Sequence, residues 1–343
     1  MKSLLITGGA GFIGSNAAHH FDRAGWRVVI FDNLSRRGAG RNLDWIREKT
    51  DVEFVQGDLR RPEEVESFFE KTRPEAVLHL GGQVAVTTSV VDPREDFEVN
   101  ALGTFNVLEA LRRFVPRAPL VYSSTNKVYG KMDQAVVVER DGRYAYRDQT
   151  QGIDEQFPLD FHSPYGCSKG AGDQYVLDYA RIYDLKLTSF RQSCIYGPRQ
   201  FGVEDQGWIA WFTIATRAKK PITIYGDGKQ VRDVLHVDDL IRLYEMALQQ
   251  PDRVAGEAFN VGGGPENTLS LLELVQILES RSQEPLPFTR ADWRPGDQKV
   301  FVCDIRKIQD RLGWTPATRP AEGVGQLADW VEENLSTIQE ALG

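Results

Sequence analysis

The chain has 343 residues, 41% of them hydrophobic and 26% charged, with a formal net charge of −8 at pH 7. That acid balance argues against a protein whose main partner is nucleic acid, because phosphate-backbone binding needs a surplus of Lys and Arg. No apolar run reaches membrane-spanning length, and the three cysteines lack C-x-x-C spacing, which fits a reducing compartment rather than a disulfide framework or a zinc site.

Read from the N-terminus, short apolar runs alternate with helix-length segments. Leu4–Thr7 is a strand that leads straight into a glycine loop, so the start of the chain does not read as a signal peptide and the expected setting is the cytoplasm. A helix follows at Phe12–Arg23, then strands at Val28–Phe31 and Glu53–Gln56, a helix at Glu63–Lys71 and a strand at Ala76–Leu80. The pattern continues with a helix at Phe97–Arg113, a strand at Leu120–Ser123, a helix at Ser168–Ile182 and a strand at Leu187–Phe190. Strand, helix, strand repeated in this way predicts an α/β fold: a doubly wound parallel sheet of Rossmann type, covered by helices on both faces. Residues 131–160 form a long polar stretch, either a lid or binding loop or a solvated insertion.

After Gln192 the pattern loosens and Gly and Pro become frequent, as in Gly226-Asp227-Gly228 and Gly262-Gly263-Gly264-Pro265. The expected division is a first domain over 1–192, with 230–261 returning to it. A smaller α/β substrate-binding domain takes 193–229 and 262–343. His19, His20, His79, His162 and His236 are scattered without ligand spacing, so no metal site is expected.

Thr7-Gly8-Gly9-Ala10-Gly11-Phe12-Ile13-Gly14 places glycines at 8, 11 and 14, between the first strand and the first helix. Gly8 permits a tight turn, Gly11 lets backbone approach a pyrophosphate, and Gly14 lets helix pack closely on strand. The helix N-terminus adds free N–H groups and partial positive charge. Asp32 ends the second strand, where its carboxylate can accept hydrogen bonds from both ribose hydroxyls of an adenosine, which favours NAD over NADP. Arg36 and Arg37 follow closely and leave a 2′-phosphate possible in principle. Asp58, after the third strand, is placed to meet the adenine amine, and Leu80-Gly81-Gly82-Gln83 ends the fourth. Phe12, Ile13, Asn33, Ser35, Leu59, Asn100 and Ser123 complete the expected cofactor contacts.

Tyr165 and Lys169 stand four residues apart and share a helix face. Oxidising a carbinol requires a base for the hydroxyl proton, and a phenol titrating near 10 is a poor one at neutral pH. A nearby ammonium and a positive nicotinamide both favour phenolate, so the Tyr165 pKa is expected to fall. Val121-Tyr122-Ser123-Ser124-Thr125 ends the fifth strand, and Thr125 is the candidate to hydrogen-bond the reacting oxygen.

Together with Arg232-Asp233-Val234-x-His236-Val237 and Arg294-Pro295-Gly296-Asp297, these segments resemble the extended short-chain dehydrogenase/reductase family of nucleotide-sugar epimerases and dehydratases, over nearly the whole chain. The resemblance implies that Arg232 and Arg294 hold a substrate diphosphate, a job suited to bidentate cations. It implies a sugar pocket drawn from Gln83, Thr125, Asn126, Lys127, His162, Cys194, Gln206 and Asp297. It also implies a homodimer or homotetramer, with Phe97–Arg113 and Ser168–Ile182 as candidate faces. Finer segments, Ser123-Ser124-Thr125-Asn126-Lys127-Val128-Tyr129-Gly130 and Leu159–Gly170 among them, resemble one branch, the CDP-tyvelose (CDP-paratose 2-) epimerases.

Two departures from related patterns bear on the reaction. Dehydratases of the family carry Asp-Glu after the Thr, where this chain has Asn126 and Lys127, which disfavours elimination of water. Many 4-epimerases carry Asn where this chain has Cys194, so a different sugar carbon is presented. The expected activity is NAD-dependent inversion of C2 in a CDP-linked hexose through a transient 2-keto sugar. A 4-epimerase, a uronate decarboxylase or a non-catalytic NAD sensor of the same fold are the alternatives.

Overall fold

Seven strands lie side by side, all parallel, in the order Ala258–Val261, Leu187–Gln192, Leu120–Thr125, Ala76–His79, Ser3–Thr7, Arg27–Asp32, Glu53–Gln56. The computed structural model describes residues 2–294 and 297–343; Pro295 and Gly296 of the Arg294–Asp297 segment lie outside the described residues. The apolar runs of the inner strands are continuous because both faces of the sheet are covered. Leu4 and Ile6 pack into one core with helices Phe12–Arg23 and Val237–Gln249, while Leu5 between them packs into another with Pro62–Thr72 and Gly103–Phe114. Val28 and Ile30 join the first core, Val29 and Phe31 the second, as the two-residue period of a strand requires.

Most expected elements occur with ends shifted by a residue or two. Two differ more. The helix expected over Phe97–Arg113 is three pieces: Pro93–Phe97, a π-turn at Glu98–Leu102, and Gly103–Phe114. The wider turn sits where Asn100 is buried against its neighbours, a common setting for such bulges. The helix expected from Ser168 begins at Ser163, with Pro164 in its first turn, so Tyr165 is helical.

Beyond Gln192 the chain builds a second layer. Val231–His236 is its central strand, antiparallel to Thr268–Ser270 and parallel to Val300–Phe301 and Cys194–Tyr196. The stretch 230–236 therefore belongs to this smaller sheet, and the return to the large sheet begins with Val237–Gln249 and ends with Ala258–Val261. Helices Trp208–Arg217, Leu271–Ser282 and Pro320–Glu333 enclose a separate core around Phe212, Leu274 and Leu327.

Residues 131–160 are more than a plain loop. They contain a hairpin, Val137–Arg140 with Arg143–Tyr146, fastened to the smaller layer. Tyr144 Oη donates to Asp227 at 2.7 Å, Tyr146 Oη to the Val300 carbonyl at 3.1 Å, and Ile153 N to the Val302 carbonyl at 2.8 Å.

The strands Ser3–Thr7 and Ala76–His79 are neighbours, and the winding reverses between them, which opens a crevice at their C-terminal ends. His79 anchors that point and is fully buried. Thr7 Oγ1 lies 2.7 Å from Nδ1 and accepts from Gly81 N, while Nε2 lies 3.0 Å from Thr104 Oγ1, whose proton goes to the Asn100 carbonyl. These partners fit a neutral ring protonated on Nε2. Burial, with Lys169 nearby, lowers its pKa from an ordinary 6.5 to about 3. The unfolded chain therefore binds the extra proton first, and stability is lost as pH falls below the ordinary value, by up to about 1.4 kcal/mol per pH unit. Urea unfolding between pH 7 and 5 should show a steeper loss for the parent than for His79→Gln; equal slopes would contradict the assignment.

Candidate active site

A cavity of about 310 Å³ lies between the C-terminal edge of the large sheet and the smaller layer. That is within the range of small-molecule sites. Ile13, Leu80 and Gly82 line it from the nucleotide-loop side; Ser123, Thr125, Tyr165 and Lys169 from the strand and helix behind; and Cys194, Gln206 and Trp208 from the smaller layer.

The glycine loop fits a dinucleotide phosphate on structural grounds. Gly8 has φ +68°, and a side chain there would meet Gly81 Cα at 2.7 Å. A Cβ on Gly14 would sit 2.2 Å from the Gly8 carbonyl oxygen, backbone that cannot yield. The helix begins at Phe12 with Gly11 as N-cap and no side chain capping it, so the first N–H groups stay available to an anion. Asp32 shapes this loop: its carboxylate accepts from Ala10 N at 3.0 Å and Leu34 N at 2.8 Å. Each oxygen keeps a lone pair for a ribose hydroxyl. Burial raises its pKa against those two bonds. Asn33 Nδ2 donates to Asp58 at 3.3 Å, and its Oδ1 accepts from Ser35 N. Arg60 grips Asp58 at 2.6 Å and holds its pKa down at about 2, so Asp58 is already a satisfied acceptor. Leu59 is buried beside it.

Tyr165 is buried at the first turn of the helix Ser163–Tyr183, and Lys169 lies one turn on. Lys169 Nζ donates to the Ser123 carbonyl and stands 4.2 Å over the Tyr122 ring. Burial lowers the Lys169 pKa to about 7, against the raising pull of Asp173 and Asp96. The expected fall in the Tyr165 pKa is not what the chain by itself produces. Burial drives it up to about 12, more than the Thr125 hydroxyl and the Arg36 guanidinium bring it down, with Asp96 adding to the rise. Desolvation of a phenolate outweighs these partners, so a further positive charge must come from what binds.

Thr125 is buried at the strand end and accepts from Lys127 N at 3.2 Å. Asn126 is buried beside it. Lys127 Nζ donates to Gln298 Oε1 at 3.1 Å, and burial, with Arg232 near, lowers its pKa to about 8. Arg232 is ion-paired with Asp297 at 2.8 Å, and Arg294 with Asp205 at 3.0 Å over the Tyr225 ring. Burial pushes the Cys194 thiol up, against the pull of Arg232. Arg36 hydrogen-bonds Gln206, which lines the cavity.

Three expected ligand contacts do not face the cavity. The Gln83 side chain turns back, donating to the Ala85 carbonyl at 2.7 Å and Asp96 at 3.0 Å and accepting from Ala85 N. Asn100 lies behind Gly82, where its Nδ2 is shared among Gln83, Asp96 and Ser168. His162 is exposed and pairs with Asp160 at 3.1 Å. Conversely, Ser124 Oγ, Gln200 Oε1 and Trp208 Nε1 are buried without a partner, and their residues line the cavity. Such atoms are natural ligand contacts, because an unsatisfied buried polar group is costly. Ser124 could have been found from its place beside Thr125; Gln200 carried no signal in the sequence.

The model of the NAD dependent epimerase/dehydratase family matches residues 4–262. The chain is 49% identical to the CDP-paratose 2-epimerase of Salmonella typhi over 95% of this chain and 98% of that one. It is 31% identical to a putative UDP-glucose 4-epimerase of Methanocaldococcus jannaschii over 97% of this chain and 100% of the relative. Among solved structures, the UDP-glucose 4-epimerase of Thermus thermophilus in complex with NAD superposes with a TM-score of 0.81 at 32% identity, covering 96% of this chain and 99% of that one.

Proposed function

The chain belongs to the NAD dependent epimerase/dehydratase family, and from that premise we propose that it inverts C2 of a CDP-linked hexose, CDP-paratose giving CDP-tyvelose. The observation that carries this reading is the make-up of one cavity. Tyr165, Lys169 and Thr125 meet there, and Asn126, Lys127 and Cys194 line it with them. The relative that is a CDP-paratose 2-epimerase points to the same carbon and the same nucleotide.

In the proposed reaction Tyr165 accepts the proton of the C2 hydroxyl, and Thr125 holds that oxygen as charge develops on it. Lys169 holds the nicotinamide ribose and favours the phenolate by its charge. Gly8, Gly11, Phe12, Ile13 and Gly14 hold the cofactor pyrophosphate, Asp32 the adenosine ribose, and Asn33, Ser35, Asp58 and Leu59 surround the adenine. NAD, when bound, supplies the two-electron acceptor that removes the C2 hydrogen as hydride and returns it. Arg232 and Arg294 take the substrate diphosphate, each exchanging its present carboxylate partner for phosphate oxygens. Cys194, Trp208 and Gln206 bound the space in which a 2-keto sugar turns its other face to the cofactor. Oxidation at C4 would not serve, because a 4-ketone acidifies the protons at C3 and C5 and leaves C2 untouched. In the division of labour this implies, residues 1–192 with 237–261 hold the cofactor, and 193–236 with 262–343 hold the nucleotide sugar.

We further propose a homodimer through the face shared by helices Gly103–Phe114 and Ser163–Tyr183. Phe105 (36% exposed), Tyr175 (47%), Ile182 (61%) and Tyr183 (44%) present an apolar, largely aromatic surface there. Contiguous exposed apolar area of this kind marks association surfaces.

Two outcomes are expected. Given CDP-, UDP-, GDP- and dTDP-sugars, the purified protein turns over CDP-paratose, and substrate deuterated at C2 keeps its label in the product. Loss of the label to water, or turnover only at C4 of a UDP-sugar, would overturn the reading. For assembly, light scattering of Ile182→Asp should give half the parent's mass; a parent that is already monomeric would refute the interface.

A further inference from the structure

Behind the reaction site, on the far side of Gly82, lies a buried polar cluster that none of the proposed steps uses. Its centre is Asp96, in the short helix Pro93–Phe97, with 0% of its surface exposed. Asp96 Oδ2 accepts from Ser168 Oγ at 2.5 Å, and Oδ1 accepts from Gln83 Nε2 at 3.0 Å and Asn100 Nδ2 at 3.1 Å. All three donors are neutral. Among the described residues no Lys, Arg or His forms an ion pair with it. Burying a carboxylate without a cation is costly, so its charge must be balanced nearby.

The balancing charge is Lys169. Ser168, which holds Oδ2, is its neighbour in the chain, and the Ser168 hydroxyl also reaches the Tyr165 carbonyl at 3.2 Å. Asn100, which holds Oδ1, has its own Oδ1 buried without a partner. That oxygen lies 2.8 Å from the point where a Gly82 side chain would begin, and Lys169 Nζ lies 3.8 Å from the same point. The Asn100 amide thus has its Nδ2 on the carboxylate and its Oδ1 on the Gly82 side, where the ammonium also lies.

Asp173, four residues on along the helix, also raises the Lys169 pKa, but it has a cation of its own, Arg191 at 2.9 Å, and a hydroxyl donor, Ser189 at 2.5 Å. His79 is held neutral by burial. Tyr122, whose ring lies under Nζ, and Tyr165 are phenols pushed up by burial. Asp96 is thus the one carboxylate facing Lys169, among the described residues, that has no cation of its own.

We propose that Asp96 is a positioning residue whose buried charge, with the Asn100 amide between, holds Lys169 in its ammonium form, and whose bond to Ser168 fixes the turn that carries Tyr165. The proposal deepens the reading of Lys169 as part of the reaction site, and its test requires no turnover. Burial of an amine favours the neutral form, and the negative charge of Asp96 opposes it. Without that charge Lys169 would spend more of neutral pH as a free amine, unable to favour a phenolate at Tyr165.

The test is a pH titration followed by NMR on protein carrying lysine labelled with carbon-13 at Cε, with the Lys169 signal identified by its loss in Lys169→Arg. In Asp96→Asn the midpoint should fall by about one to two pH units. In Ser168→Ala, which removes a hydrogen bond but keeps the charge, it should stay near the parent's. Asp96→Ser serves where Asp96→Asn does not fold, with the same expected fall. An unchanged midpoint in the Asp96 variants, or an equal fall in Ser168→Ala, overturns the proposal. Failure to turn over any nucleotide sugar would defeat the proposed function and leave this titration standing.

Discussion

The structure turns on one costly act, the burial of the Lys169 amine beside the Tyr165 phenol. Neither group is at ease there: burial pulls the amine down to about 7 and pushes the phenol up to about 12. Each is driven toward its neutral form, which is the wrong form for moving a proton from an alcohol. The surroundings work against that drift. The Ser123 carbonyl and the Tyr122 ring take the ammonium, Asp173 and Asp96 supply negative charge, and Thr125 and Arg36 draw the phenol the other way. The positive ring of a bound dinucleotide would complete the set, so base strength at Tyr165 is coupled to the presence of the cofactor.

The fold exists to hold that pair rigidly at the edge of a cleft. The helix Ser163–Tyr183 lies so close to the sheet that a Cβ on Gly172 would meet Tyr122 Oη at 2.5 Å, and one on Gly170 would meet the Phe161 ring at 2.6 Å. The smaller layer closes the other side of the cleft and is itself fixed by the hairpin at residues 137–146 and by Gln298, which bonds both Lys127 and the Gly130 carbonyl. Arg36, just after the strand Arg27–Asp32, and Gln206 of the smaller layer are joined by a hydrogen bond. The cations that would take a diphosphate, Arg232 and Arg294, wait in ion pairs that are only partly buried, and such pairs can be exchanged at small cost.

Much of this was legible from the residues alone, for local reasons. The glycines at 8, 11 and 14, the acid at Asp32 and the Tyr165/Lys169 spacing are short-range patterns, and each lies where the pattern requires. The inner strands were legible because both of their faces are apolar. What escaped depends on partners far along the chain. Gln83 and Asn100 look like ligand contacts until Asp96 is seen to claim both, and Asp96 itself is tied to Ser168, which lies 72 residues away. His162 sits next to the catalytic helix in sequence but points to solvent, toward Asp160. Residues 131–160 read as a loose loop because their anchors, Asp227, Val300 and Val302, belong to another layer. The direction of the Tyr165 shift was missed for a different reason: a motif displays charges, not the burial that opposes them.

The proposed reaction rests on Tyr165, a buried phenol that needs the positive charge of bound NAD beside it to take the proton of a sugar hydroxyl. The most direct test replaces Tyr165 by Phe, which removes the phenolic oxygen and little else, and follows both the interconversion of the CDP-sugar epimers and the binding of NAD. NAD binding should persist while interconversion slows by about a hundredfold to ten-thousandfold. Interconversion at the parent's rate in Tyr165→Phe would contradict that role for the tyrosine.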